Sequence, residues 1–387
     1  MSRILRLLLL IPLAAAIVIG VFLIRGKIPV ASASCGSWSD QAPAPVNGNN
    51  SLLAVAAVDA NTAWAVGDNN NSTLIEQWNG TGWQVVPSPN SPASELDVLD
   101  GVAAAAANDI WAVGYENTGG LDATLIEHWD GTSWTIIASP NIAGTSNRLN
   151  AVTVISSTDV WAVGYSGTNA SQTLIENWNG TGWSIVSSPN VGTELNYLNG
   201  VAGDAAGDIY AVGEYENLGV DTTTFQSLIL HYDGTNWSVM QSPNQGNESN
   251  WLQSITLIGG TTRFLAVGYY GNGDYVNTLI EQWDGSNWTV VSSPNGGSYN
   301  SMLYSVSSPD ANNAWAIGFY NGSTVTNQTL IEYFNGTTWS VVPSPNVGSY
   351  ENDLFAVAAY NDNTVWAVGD NLTTQVGSPQ ALIEFYC

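Results

Sequence analysis

Seven times along the chain an aromatic or apolar residue is followed by Ala-Val/Ile-Gly, then a loop, then a Leu-Ile-Glu-like segment and a turn closed by Trp. The anchors are Trp64, Trp111, Trp161, Tyr210, Leu265, Trp315 and Trp366, spaced 47, 50, 49, 55, 50 and 51 residues apart. A period near fifty with room for four short strands is the repeat of a β-propeller blade, in which no unit can bury its apolar face without its neighbours. The expected fold is therefore all-β: a seven-bladed propeller of four-stranded antiparallel blades over residues 35–387, preceded by one N-terminal hydrophobic helix within residues 1–34.

The second unit shows how a blade reads. Val98 to Ala106, Ile110 to Tyr115, Thr124 to Trp129 and Trp134 to Ser139 form four strands, and Asp130-Gly131 supplies the tight turn before the last. Asn or Asp followed by Gly tolerates the positive φ such turns demand. The first strand is rich in Ala and Gly, as suits sheets converging on an axis. The second alternates large with small residues, so its glycines, Gly114 and Gly164 among them, offer a flat face against which a neighbouring blade can nest.

Ile110-Trp111-Ala112-Val113-Gly114, together with Leu125-Ile126-Glu127-His128-Trp129-Asp130 and Trp134, resembles the kelch repeat, whose apolar run into glycine and later aromatic pair they match. The likeness implies a propeller like the central domain of galactose oxidase. It departs from kelch where that repeat has a second glycine, a position held here by Tyr115, Tyr165, Tyr269 or Phe319. The resemblance implies a fold and no single function.

The seventh unit stops at Cys387 with no fourth strand after Leu382-Ile383-Glu384. Cys35-Gly36-Ser37-Trp38 and the prolines that follow resemble the missing strand, so the last blade is expected to be completed by the segment around 35–46. Alignment on Leu74 to Trp83 places Cys35 beside Cys387, and a disulfide between them is expected.

Arg3, Arg6, Arg25 and Lys27 all precede Cys35, leaving Arg148 and Arg263 against 32 acidic residues, a net charge of −30 for the propeller. Such a surface repels nucleic acid and anionic headgroups. The apolar run from Leu7 to Ile24 would rise about 27 Å as a helix, close to a membrane's hydrocarbon thickness. Ala31-Ser32-Ala33 reads instead as a signal-peptide cleavage site. A removed signal peptide and a retained single-span anchor both put the propeller outside the cell, with membrane contact only through that helix.

Within each unit only the loop between the second and third strands changes length, its Gly-to-Leu distance running 7, 11, 10, 15, 11, 12 and 13 residues. Variation concentrates on loops held by a rigid scaffold, so the face carrying these loops is the candidate binding surface. Its candidate residues are Tyr115, Glu116, Asp122, Arg148, Glu214, Tyr215, Glu216, Asp221, Tyr269, Tyr270 and Asp274. Tyr with carboxylates suits sugar stacking and hydrogen bonding, or cation ligation; solvated loop residues of an acidic protein are the plainer reading.

Glu76, Glu127, Glu176, Glu281, Glu332 and Glu384 repeat one position, with Leu230 in the fourth unit. Repetition argues against a single catalytic acid and for acceptors of a Trp or backbone N–H between blades. His128 and His231 share a position that other units fill with unrelated residues, so neither reads as a metal ligand, and no metal or other cofactor is expected. The leading function is an exported binding module for carbohydrate or protein. The alternative is a secreted carbohydrate-active hydrolase or lyase using acidic loop residues; hydrolysis would need two carboxyls either about 5 to 5.5 Å or about 6.5 to 9.5 Å apart across a pocket.

Overall fold

A computed structural model describes residues 36–387 apart from 93, 205–206, 220–222 and 323–325. The expected N-terminal helix, Cys35 and Asp221 lie outside the described residues. The rest forms seven four-stranded antiparallel sheets. In the second blade the strands are Leu96–Ala106, Asp109–Asn117, Asp122–Trp129 and Trp134–Ile136, in that order across the sheet. The last strand stops before Ser139 because that hydroxyl turns inward, bonding Thr124 at 2.8 Å and Glu176 of the next blade at 2.7 Å.

In the seventh blade, Trp38–Gln41 pairs with Gln380–Tyr386, Trp38 opposite Tyr386 and Gln41 opposite Ile383. The Gly36 N–H donates to the Cys387 carbonyl, extending the ladder to the end of the chain.

The core lies in layers between blades. Each second-strand anchor packs against third- and fourth-strand aromatics of the next blade: Trp64 lies 4.9 Å from Trp129 and 5.4 Å from Trp134, and Trp111 lies 5.0 Å from Trp178 and 5.4 Å from Trp183. Trp366 closes the circle on Trp78 and Trp83 of the first blade, at 4.9 and 5.1 Å. Such pairs contribute about 0.5–1.5 kcal/mol each beyond the area they bury.

The repeated glutamates are fully buried in these layers. Five of the six bond across blade interfaces, but mainly to a hydroxyl. For four of them the Ser of the preceding Ser-Pro-Asn segment donates: Ser88 to Glu127 at 2.9 Å, Ser139 to Glu176 at 2.7 Å, Ser242 to Glu281 at 3.0 Å and Ser293 to Glu332 at 2.8 Å. Glu384 departs from the pattern: neither carboxylate oxygen has a partner among the described residues, and Ser344 bonds Thr329. Pro43 stands where that Ser would be before the first blade, and Glu76 accepts the Ala44 N–H at 2.8 Å instead. Where Leu230 replaces Glu, Ser188 turns back to Thr173. The indole N–H groups of the anchor tryptophans bond to none of these carboxylates, which corrects that half of the expectation.

The second-strand glycines also have a different cause from the one expected. A Cβ on Gly114 would lie 2.0 Å from the carbonyl oxygen of Val98 in its own blade, and one on Gly164 equally close to that of Arg148. All seven blades share this approach, and beside it the register slips by one residue in the first strand, as between Leu99 and Gly101. The glycine makes room for a β-bulge, and the extra residue is turned out of the ladder.

Candidate functional site

Those extra residues form the candidate site. They are Leu53, Asp100, Asn150, Asn199, Gln253, Tyr304 and Phe355, one per blade, and all line the axial channel where the seven first strands meet. Six of them, all but Leu53, also line a wider cavity of about 380 Å³ at the channel mouth, together with Tyr115 and Arg148. Each bulge lies near the strand end that meets the variable loops, so the funnel opens on the face expected from loop lengths.

The scaffold repeats, but the chemistry around the mouth does not. The residue after the second-strand glycine is Asp68, Tyr115, Tyr165, Glu214, Tyr269, Phe319 or Asp370 by blade, and its first-strand partner is Ser51, Val98, Arg148, Tyr197, Trp251, Met302 or Asp353. Blades seven and one thus carry an acidic arc, blades two and three a Tyr-Arg cluster, and blades five and six an aromatic wall.

In the Tyr-Arg cluster the Arg148 guanidinium stacks 3.8 Å from the centre of the Tyr115 ring, while its Nε donates to Asp122 at 2.7 Å. A cation over an aromatic face is attracted by the ring's quadrupole. Burial pushes the Asp100 carboxyl up to about 7, with Arg148 opposing the shift and Asp68 adding to it. Burial also raises the Tyr115 and Tyr165 phenols, again against Arg148, so both rings are neutral hydrogen-bonding groups.

Asn199 donates to Glu214 at 2.7 Å and to the Leu252 carbonyl at 3.0 Å, while Asn150 donates to the Leu198 carbonyl at 2.8 Å. Burial raises Glu214 to about 8, the Asn199 bond pulling it back. In the acidic arc, burial lifts Asp353 to about 7 against a bond from Asn327, with Asp370 and Glu351 adding to the rise. Across the mouth, Tyr304 packs near Tyr269, Phe319 and Phe355, with centroids 5.8 to 6.4 Å apart.

The residues expected from sequence therefore divide. Tyr115 and Arg148 line the funnel, Asp122 holds Arg148, and Glu214 and Tyr269 stand behind Asn199 and Tyr304. Their sequence neighbours alternate to the other side of the strand: Tyr215 packs into one interblade cluster and Tyr270 into another. Glu116 and Glu216 line neither cavity described here, and Asp274 lines a separate one at the rim. His128 and His231 lie toward the opposite face, bonded to Asp109 at 2.8 Å and Asp208 at 3.0 Å.

Sequence reasoning missed the ring itself. The signal was present as a free position between a repeated Leu and a small residue, as in Leu99-Asp100-Gly101 and Leu149-Asn150-Ala151. Reading the first strand only as rich in Ala and Gly hid it.

No family model matches the sequence, and neither does any curated protein. The kelch likeness is accordingly not carried beyond the fold. Among solved structures the chain is similar to YCF48 bound to D1 peptide, at 13% identity over 90% of this chain and 95% of that one, TM-score 0.54. It is similar to a polysaccharide lyase, the PL25 ulvanlyase solved with a bound ligand, at 13% identity over 89% of this chain and 95% of that one, TM-score 0.57. A protein of unknown function from Dyadobacter fermentans aligns at 10% identity over 90% of this chain and 99% of that one, TM-score 0.51. At such identities the likeness is one of fold: an all-β, seven-bladed propeller.

Proposed function

We propose that the chain is an exported binding module, secreted or held at the cell surface by residues 1–34, whose axial funnel takes carbohydrate. The observation that carries this reading is the ring of bulge residues. On a scaffold that repeats its core almost unchanged, the ring presents a carboxyl, three amides, a phenol and two apolar side chains to one concave space. Amides and carboxyls that both donate and accept, beside aromatic faces, match the alternating hydroxyl and C–H surfaces of a sugar. A mouth of about 380 Å³ is within the range of small-molecule sites. One neighbour in fold is described as a polysaccharide lyase and another as bound to a peptide, so both ligand classes are compatible with this architecture.

The test is a glycan array with thermal-shift confirmation, repeated on Gln253→Ala and on Asn150→Ala, the latter also losing its bond to the Leu198 carbonyl of the next blade. Sugar binding that both variants weaken supports the reading. Binding that neither affects, or a protein ligand with no glycan response, sinks it.

A lyase is favoured by one observation, the Arg148 guanidinium beside Tyr115 in the cavity wall, since elimination next to a uronate needs a cation on the carboxylate and a base on the adjacent carbon. Against it, Tyr115 and Tyr165 are held protonated above their usual range, which makes either a poor proton acceptor. Incubation with uronate polymers, followed by ultraviolet absorbance of an unsaturated product, separates turnover from binding.

A further inference from the structure

A second cavity of about 430 Å³ opens between the loops of blades four and five. Its lining includes Trp251, Tyr275, Glu248, Asp274, Asn247 and Asn300, and no basic residue. Glu248 is built into the wall: its carboxylate accepts the Gly273 N–H at 3.1 Å, and a Cβ on Gly271 would come within 2.7 Å of it. Tyr275 is 41% exposed and stands edge-on to Tyr299, itself 38% exposed, with centroids 4.9 Å apart. An exposed ring braced by a second ring keeps a fixed apolar face toward water.

An aromatic track joins this cavity to the funnel. Trp251, in the rim cavity, lies 5.0 Å from Tyr269; Tyr269 lies 6.4 Å from Tyr304; Tyr304 and Phe355, both in the funnel wall, are 6.0 Å apart. Trp251 and Tyr269 pair across strands of blade five, Tyr304 comes from blade six and Phe355 from blade seven, so the ring contacts link the rim cavity to the funnel wall.

The geometry points to one extended groove for a linear, uncharged oligosaccharide, seated at the Tyr275 side of the rim cavity and crossing Trp251 toward Tyr304. The ligand is then a polymer segment, and the two cavities are subsites of a single site. The inference rests on the carbohydrate reading of the funnel and adds length and charge to it. Glu248 and Asp274, in a propeller of net charge −30, repel an acidic sugar at the rim, while amides and hydroxyls accept a neutral one. Linked subsites gain affinity without new contact chemistry because the second contact becomes intramolecular.

The experiment is calorimetric titration of the whole exported chain with neutral gluco-, manno- and xylo-oligosaccharides from disaccharide to hexasaccharide, with affinity electrophoresis through gels holding the matching polysaccharides. For the series that binds, affinity should rise about tenfold or more with length. Tyr275→Ala should remove that rise while leaving the disaccharide within about twofold, and Tyr304→Ala should weaken every length. Val376→Ala, 95% exposed on another loop, should change nothing. Affinity that is flat with length, or a hexasaccharide indifferent to Tyr275→Ala, overturns the groove and leaves the funnel reading standing. Failure of every neutral sugar while acidic ones bind at the funnel also overturns it, and failure of all glycans removes both.

Discussion

Trp38 stands edge-on against Trp315, 5.3 Å between ring centroids, although almost the whole propeller separates them in sequence. Trp38 occupies the place that Trp83 or Trp134 fills elsewhere, so the first described strand supplies the sixth-to-seventh blade layer as well as a ladder. Trp38→Ala should lower stability by about 3–5 kcal/mol, read from urea unfolding, and open blade seven to proteolysis first. Val85→Ser, on an exposed fourth-strand position of blade one, should stay within about 0.5 kcal/mol. Equal effects would mean that closure adds little.

The same seam motivates a covalent test. The Gly36 N–H bonded to the Cys387 carbonyl brings the residue next to Cys35 against the chain's end, and we propose that Cys35 and Cys387 are linked in the exported protein. A link closing so long a loop stabilises by about 5 kcal/mol in the chain-entropy model. Non-reducing peptide mapping should recover one cross-linked peptide; recovery of both peptides as alkylated thiols rejects the link.

Gly114→Ala should cost at least the about 1–3 kcal/mol of ordinary overpacking, because the obstacle is the Val98 carbonyl and not a side chain that can turn away. Relief requires moving the bulge, so the variant should also weaken funnel ligands through Asp100. Gly120→Ala, with open space around its Cβ position, should do neither. Denaturation midpoints and ligand titration on the two variants decide the matter.

Stability should increase on mild acidification. Burial raises Glu76, Glu176 and Glu281 to about 7, and Glu127 and Glu332 to about 8, partly offset by their Ser or backbone donors. Between the ordinary carboxylate value and those raised values the folded state binds more protons than the unfolded one, so unfolding free energy falls as pH rises. The stabilisation is whole below about pH 4.5 and lost through pH 7 to 8, at most about 1.4 kcal/mol per unit for each group. Glu127→Gln should flatten this slope in urea titrations from pH 5 to pH 8; a slope of the opposite sign would mean these groups ionise inside the folded protein.

Much of the architecture was legible because packing demands repeat. Anchors such as Trp64 and Trp366 must meet the next blade's hairpin aromatics, and Asp130-Gly131 must make a positive-φ turn, so both recur at fixed spacing. The funnel was legible only where a chemically unusual residue marked it, as Arg148 did. Asn150 and Gln253 left no such mark: an amide in a first strand reads as one more polar face until the neighbouring carbonyl, pressed against Gly164 or Gly268, shows the strand stepping out of register. Tyr215 and Tyr270 pack into interblade clusters for a related reason, since adjacent residues of a strand face different compartments.

Because each bulge residue sits outside the pairing of its ladder, exchanging one leaves the strand's own ladder bonds and the tryptophan layers in place, with Asn150 and Asn199 giving up one bond each to a carbonyl of the next blade. The chemistry of the channel lining can therefore be rewritten a blade at a time, by selection or by design, while the layers between blades stay as they are.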